Sequence, residues 1–231
     1  MSLSLNNQIE VSNLGHSYGA TSILNQLDLS LGSGESMAIM GPSGTGKSTL
    51  LNCLAGLEKI QTGNVVVLGK KFEKLDEEER AELRRTEMGI IFQFFHLLPT
   101  LSTFENVELP LVIQGVKKKQ REKKVGELIE GVGLSHRSNA LPETLSGGER
   151  QRAAIARALV HEPSIIFADE PTGNLDESTS GGILELLQDI IKDKNMTFVM
   201  VTHSQSAASI CDRKFSLHNG RLEENTKPSL K

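Results

Sequence analysis

The stretch Gly41-Pro42-Ser43-Gly44-Thr45-Gly46-Lys47-Ser48-Thr49 constrains this 231-residue chain more than any other. An apolar run, Ser36-Met37-Ala38-Ile39-Met40, leads into it, and a helix-like run, Leu50-Leu51-Asn52-Cys53-Leu54-Ala55, follows. The order is strand, glycine loop, helix, at the spacing G-x-x-x-x-G-K-[ST]. Glycines let the backbone curl so that successive N–H groups face a polyphosphate, and the helix beyond adds the positive end of its dipole. Lys47 is then placed to reach the β- and γ-phosphates, and the Ser48 hydroxyl to hold Mg²⁺. A glycine-rich turn that matches by chance is the alternative, and the strand before it and helix after it disfavour that. By itself the loop specifies a nucleoside triphosphate and no more, since kinases, GTPases and motor ATPases all fit.

Composition narrows the class. A chain of this length can bury about 70% of the surface its unfolded form exposes, so a core needs no staples. Hydrophobic residues at 38% and charged ones at 23% are those of a globular protein. A net charge of −4 argues against binding nucleic acid by phosphate neutralisation, so no nucleic-acid partner is expected. Cys53 and Cys211 are far apart and read as the reduced thiols of a cytosolic protein. There is no basic-then-apolar N-terminal signal, and no apolar run nears the ~18–20 residues that span a bilayer. The expectation is a soluble chain that reaches a membrane only through another polypeptide.

Ahead of the glycine loop, Ile9-Glu10-Val11, Ser22-Ile23-Leu24 and Leu27-Asp28-Leu29-Ser30-Leu31 are separated by Gly15, Gly19, Gly32 and Gly34. They predict a small antiparallel sheet of short strands. Tyr18, in its first turn, offers a flat ring that could stack on a nucleotide base or simply pack on the sheet. Beyond the loop, Gly63 and Gly69 bracket a strand, Asn64-Val65-Val66-Val67-Leu68, and Asp76 and Glu79 form a capping box that opens a helix. The strand-like run Met88-Gly89-Ile90-Ile91-Phe92 ends at Gln93, whose amide can reach a metal or a water. The loop after it, Phe94-Phe95-His96-Leu97-Leu98-Pro99, is either a partner-binding patch or locally packed. Helical patterning runs from Ser102, which with Glu105 makes a second capping box, to Gly133, and the lysine-rich run at residues 117–124 reads as a solvated helix face.

A third capping box, Ser146 with Glu149, opens a helix whose first turn holds Gly147 and Gly148. Glycine weakens a helix by about 1 kcal/mol relative to alanine, so two here suggest bare N–H groups that meet a second anion. Next, Ser164-Ile165-Ile166-Phe167-Ala168 has the continuous apolar character of a strand buried on both faces. Asp169 and Glu170 follow at its C-terminal end, where open α/β sheets bind ligands. Asp169 is placed to hold Mg²⁺ through water and Glu170 to accept a proton from an attacking water. His203 stands just past another buried strand, Phe198-Val199-Met200-Val201, aimed at the same edge. His16, His96, His136, His161 and His218 have no such context and are assigned no role.

In this order these residues resemble the ATP-binding subunit of ATP-binding-cassette (ABC) transporters, over essentially the whole chain. Leu145-Ser146-Gly147-Gly148-Glu149, some twenty residues ahead of an Asp-Glu pair with a histidine beyond, is highly specific to that family. The resemblance implies that Tyr18 stacks on adenine, that Gln93 is the Q-loop glutamine contacting nucleotide and metal, and that Asn174-Leu175-Asp176 is the D-loop. His203 becomes the switch histidine, catalytic alongside Glu170 and Lys47. Residues 92–101, Glu105-Asn106-Val107-Glu108-Leu109-Pro110 and Pro171-Thr172-Gly173-Asn174-Leu175-Asp176 look like the lipoprotein-releasing and macrolide-exporting subgroup, with cell-division ATPases close by. Ser204 departs from the acidic residue common after the histidine, and Arg150 from a frequent glutamine after the signature.

The fold so implied is α/β: a P-loop NTPase (RecA-like) core with an N-terminal antiparallel β subdomain and an inserted helical subdomain. Residues 1–231 form a single domain, with 1–98 and 144–231 as core and β subdomain and 99–143 as the helical lobe. The cofactors implied are ATP and Mg²⁺, the metal held by Ser48, Gln93 and Asp169. The resemblance also implies a head-to-tail dimer in which Ser146, Gly147, Gly148 and Asp176 of one copy complete the site of the other. A membrane permease would contact the helical lobe and residues 94–98, so the subunit would sit on the cytoplasmic face of the inner membrane. An ABC ATPase that regulates a membrane partner in cell-wall or division control would carry the same motifs. Soluble ABC proteins of DNA repair or translation usually add a coiled-coil insertion or a second cassette, and this chain has neither.

Overall fold

The computed structural model describes residues 7–225; the expected domain's first six and last six residues lie outside it. Its sheets follow from the pattern of apolar residues. β3 (Ser36–Met40), β7 (Ile165–Asp169) and β8 (Thr197–Thr202) are buried almost throughout, as strands covered on both faces must be. With β6 (Met88–Ile91), β9 (Arg213–His218) and β10 (Arg221–Glu224) they form one six-stranded sheet in the order β10-β9-β3-β8-β7-β6. Its strands are parallel except β10, which returns antiparallel on β9. The β9–β10 hairpin is not among the expected strands, although Phe215 and Leu217 alternate with polar residues and Asn219-Gly220, both at positive φ, make its two-residue turn.

The expected short N-terminal strands are instead two long ones, β1 (Asn7–Tyr18) and β2 (Thr21–Gly32). Gly15 does not end β1. The register shifts on either side of Leu14, and a Cβ at Gly15 would lie 2.4 Å from Thr62 Oγ1 of β4 (Thr62–Val67), so the residue is glycine because β4 crosses close by. Tyr18 is the last residue of β1, paired with Thr21, rather than a turn residue. Leu68 leaves β4 with φ 52° and Gly69 with φ 73°, a turn into the short β5 (Lys70–Lys71). The order β2-β1-β4-β5 makes a second, antiparallel sheet. Asn25 N–H donates to Gly220 O at 2.7 Å and Arg213 Nη1 to Ser30 O at 2.7 Å, tying this sheet to the hairpin of the first.

Helix α1 (Lys47–Leu54) lies in the core between the two sheets, with Leu50, Leu54, Val65, Phe167 and Val199 in one apolar cluster. On the other face of the parallel sheet, α5 (Gly147–Leu159), α6 (Glu177–Lys194) and α7 (Gln205–Ala208) cover Ala38, Ile166, Phe198 and Met200. Truncating Phe167 or Phe198 to alanine would cost about 3–5 kcal/mol. All three expected capping boxes form, at Asp76 for α2 (Glu77–Glu87), at Ser102 for α3 (Thr103–Ile113) and at Ser146 for α5.

After α3, Gly115 at φ 71° lets the chain turn into α4 (Lys118–Gly131). Val107, Leu111, Val125 and Ile129 of these helices share a small core with Ala153, Ala156 and Val160, so the helical region is seated on α5. Asn106 pins its entry. Fully buried, its amide donates to Leu98 O, Leu101 O and Ser102 O at 3.1, 2.9 and 3.0 Å and accepts from Leu98 N–H at 2.7 Å. An Asn106→Ala variant is expected to lose about 1–3 kcal/mol, because Leu98 N–H and Leu101 O lose their partner, whereas Leu98 O and Ser102 O keep backbone donors. Urea unfolding checks this, and a loss under about 0.5 kcal/mol would show that water replaces the amide.

Candidate nucleotide site

The parallel register brings the candidate side chains to one edge. Met40 pairs with Thr202 and Asp169 with Val201, so Gly41, Glu170 and His203 all emerge just past the carboxyl ends of β3, β7 and β8. That edge is where parallel α/β sheets bind ligands.

After β3 the loop closes on itself. Thr45 Oγ1 donates to Pro42 O at 2.9 Å, and Gly46, at φ 96°, is the N-cap of α1. A Cβ on Gly46 would sit 2.5 Å from Ile23 Cγ2, so β2 presses against the loop where it enters the helix. No side chain caps α1, which leaves its first N–H groups to whatever lies at that end. Pro42, Ser43 and Gly44 are exposed, and Gly41, Thr45 and Gly46 are half-buried. Lys47 is buried; its ammonium folds back over the loop and donates to Gly41 O at 2.8 Å and Pro42 O at 2.9 Å. Ser48 Oγ donates to Asp169 Oδ1 at 3.1 Å, joining the loop to the end of β7. Burial pushes the Asp169 carboxyl above its ordinary value, opposed by the Ser48 hydrogen bond, reinforced by the charge of Glu170 and opposed again by Lys47.

Glu170 turns sharply at φ 45°, in the left-handed region that a non-glycine residue adopts at a cost. Its N–H donates to Val201 O at 2.9 Å, which anchors the turn to β8. Its carboxylate, 12% exposed, accepts from Thr202 Oγ1 at 3.1 Å, and its other oxygen lies 2.8 Å from His203 Nδ1. The structure therefore joins Lys47, Ser48, Asp169, Glu170 and His203 through loop, strand ends and hydrogen bonds. Gln93 reaches the same turn from β6. Its carbonyl accepts from Asn174 Nδ2 at 2.7 Å, and a Cβ on Gly173 would meet Gln93 Nε2 at 3.3 Å and Glu170 Cβ at 3.2 Å.

Tyr18 is half-exposed, and its hydroxyl donates to Glu58 Oε1 at 2.9 Å. Its ring meets the buried His16 ring edge-on, with centroids 4.9 Å apart, so His16 supports it from below. The Glu58 hydrogen bond, and then burial, hold the tyrosine hydroxyl above its ordinary value, with Thr49 of α1 pulling the other way.

Ser146 caps α5, accepting from Glu149 N–H at 3.2 Å, while its own N–H donates to Glu149 Oε2 at 2.8 Å. Ser146 N–H, with Arg137 assisting against burial, draws the Glu149 carboxyl down to about 2. A Cβ on Gly148 would lie 2.5 Å from Thr179 Cγ2 and one on Gly147 3.1 Å from Leu175 Cδ2. Packing of α5 against the start of α6 therefore excludes a side chain at Gly148 without any ligand, so the glycines alone do not argue for a second anion site. Asp176 caps α6: it accepts from Ser178 Oγ, Thr179 N–H and Thr179 Oγ1, bonds that hold its carboxyl well below the usual range. Within one chain the structure places Ser146, Gly147, Gly148 and Asp176 together at the α5–α6 corner, bonded to that corner and not to the phosphate loop.

Thr202, Glu58 and His16 had no assigned part in the sequence reading. Thr202 could have been found as the last strand residue before His203; Glu58 is forty positions from the tyrosine it holds, and nothing local marks it. The buried thiols of Cys53 and Cys211 are both pushed up to about 12 by burial, which makes them inert. Among the described residues no helix is long and apolar enough to cross a membrane.

A glycine phosphate loop between a buried parallel strand and a helix, facing an acidic pair across the sheet edge, defines a P-loop nucleoside triphosphatase. This chain belongs to the ABC transporter family, whose model matches residues 24–173. It is 46% identical to a lipoprotein-releasing system ATP-binding protein, LolD, of Legionella pneumophila (strain Lens), over 87% of this chain and 88% of that one. It is 42% identical to the ABC transporter ATP-binding protein YtrE of Bacillus subtilis (strain 168), over 93% and 96%. Its fold matches the dimeric ATP-binding cassette MJ0796, solved in a post-hydrolysis state with ADP and Pi, at a TM-score of 0.85 and 36% identity, covering 95% and 99% of the two chains. The chain is an ATP-binding, ATP-hydrolysing cassette of an ABC transporter.

Proposed function

We propose that this ATPase hydrolyses ATP at a seam between two copies and works on a membrane permease to release lipoproteins or related lipid cargo from a bilayer. The observation that carries the catalytic part is the shielded Glu170 carboxylate, oriented by Thr202 and His203, one residue from an Asp169 that accepts from Ser48 of the phosphate loop. Lys47 and the N–H groups of residues 43–49 bind the β- and γ-phosphates, and Tyr18 carries the adenine. Glu170 takes the proton of the attacking water, and His203 holds Glu170 and the γ-phosphate in register.

The donors near the loop suit Mg²⁺. The Ser48 hydroxyl and the Asp169 carboxylate are hard oxygen ligands 3.1 Å apart, and a metal that keeps most of its waters needs few others. Ser48, Asp169 and the Gln93 amide would hold it, and it would neutralise charge on the β- and γ-phosphates.

Ser146, Gly147, Gly148 and Asp176 are proposed to act on the nucleotide of the second copy. Their position at the α5–α6 corner, engaged with their own helices, supports that reading. Residues 99–143 form the helical lobe of the single domain. Beside it a groove of about 530 Å³ is lined by Leu57, Phe92, His96, Leu109, Pro110 and Ile113, and the loop that supplies His96 also carries the exposed Phe94 and Leu98. The permease is proposed to dock there, which would hold the subunit on the cytoplasmic face of the membrane. The cargo follows from the relatives named for lipoprotein release.

ATPase activity per milligram is expected to rise with protein concentration and then level off as dimers saturate. A rate per milligram that is flat from nanomolar upward, in protein that is monomeric by light scattering, would contradict sites shared between copies.

A further inference from the structure

Two successive residues of the loop beyond Gln93 sit in the left-handed region, Phe95 at φ 61° and His96 at φ 47°. Each costs about 1–2 kcal/mol for a residue with a Cβ, so something must hold the turn. Part of the hold is local: Phe95 N–H donates to Phe92 O at 3.2 Å and His96 N–H to Phe94 O at 2.5 Å. The rest comes from α5. Arg157 Nη2 donates to Phe95 O at 2.7 Å, and Arg157 Nη1 donates to His96 O. Seven residues earlier, on the same face of the helix, the Arg150 guanidinium lies over the Phe95 ring at 5.3 Å from its centroid.

Among the described residues no carboxylate pairs with Arg157, whose guanidinium donates to the two loop carbonyls, and burial lowers its affinity for a proton. Its charge is met by backbone carbonyls of the loop, which makes the loop turn and the helix one mechanical unit. The planar fork of arginine suits two adjacent carbonyls in a way that a lysine ammonium does not. From Arg157 the helix runs about 15 Å to Gly147 in its first turn, stiffened by the buried Ala153, Ala154 and Ala156.

We propose that Arg157 is the positioning residue that couples residues 94–98 to the first turn of α5, with Arg150 as its second hold. The proposal rests on the reading that α5 meets the second copy's nucleotide and residues 94–98 meet the permease. A change at either end of α5 is then carried to the other as a shift of the helix.

Hydrogen exchange read by mass spectrometry tests it, using Glu170→Gln protein with and without ATP and Mg²⁺. In that parent, closing the dimer is expected to change exchange at residues 94–98 at least several-fold. With Arg157→Gln added, the change at residues 94–98 is expected to vanish while protection of residues 41–49 and the dimer on a sizing column remain. Arg157→Lys should restore part of the response, and Arg150→Gln should reduce it less. A purely structural role would lower the melting temperature and leave the ATP-dependent difference intact. A full response in Arg157→Gln, or none in the parent dimer, overturns the proposal. Should Arg157→Gln fail to fold, a full response in both Arg157→Lys and Arg150→Gln overturns it equally. A parent that forms no ATP-dependent dimer instead refutes the functional reading beneath it, a result recognisable on the sizing column alone.

Discussion

Glu170→Gln is expected to slow ATP hydrolysis by ~10²–10⁴-fold, the range that a positioned general base supplies. The amide matches the carboxylate in shape, so the turn at φ 45° and the contacts to Thr202 and His203 can persist. What is lost is the capacity to take a proton from water. On the proposed reading nucleotide binding relies on Lys47, Ser48 and the loop N–H groups, none of which depends on the Glu170 charge. The variant should therefore accumulate as an ATP-bound dimer that elutes early on a sizing column with Mg²⁺ and reverts on chelation. Normal turnover, or failure to bind ATP, would remove Glu170 from the role of base.

The second large effect belongs to Lys47→Met. Methionine keeps most of the buried stem volume but deletes the ammonium that now donates to Gly41 O and Pro42 O. On the proposed reading the same charge turns to the β- and γ-phosphates when nucleotide binds, where a charge-assisted hydrogen bond grows stronger as the transferring group gains charge. Losing one such donor is expected to lower kcat/KM by ~10²–10³-fold. A second readout needs no turnover. Ligand at about 100-fold over its Kd stabilises a protein by about 2.7 kcal/mol, a rise in Tm on the order of 5–10 °C for a domain this size. Wild-type protein should show that rise with ATP and Mg²⁺, and Lys47→Met about 1–2 °C at most. Equal shifts in the two proteins would mean that Lys47 does not touch the phosphates.

How much of this was legible in the sequence depends on the range over which each contact acts. The phosphate loop, the three capping boxes and the buried parallel strands are written in consecutive residues, and each formed where its pattern placed it. What a glycine makes room for is not written beside it when the neighbour is distant in sequence. Gly15 reads as a turn but serves the close passage of Thr62; Gly147 and Gly148 read as an anion site but also make room for Leu175 and Thr179. The hold of Glu58 on Tyr18 and of Arg157 on Phe95 spans tens of residues, and no local pattern announces either. The β9–β10 hairpin is also written locally, in the alternation of Lys214, Phe215, Ser216 and Leu217 and in the Asn219-Gly220 turn, both residues at positive φ, and its strand β9 lies beside β3 in the sheet.

The two phosphate-facing segments of one chain are held to serve different copies, and the inertness of the native thiols allows that to be tested directly. Ser43 and Ser146 are both exposed, whereas Cys53 and Cys211 are buried with thiols pushed up to about 12. A Glu170→Gln chain that also carries Ser43→Cys and Ser146→Cys can be treated with a short bismaleimide in the presence of ATP and Mg²⁺. The expected product is a covalent dimer, linked from each phosphate loop to the other copy's α5. A monomer closed by a link between its own two cysteines, with no dimer formed, would contradict the account.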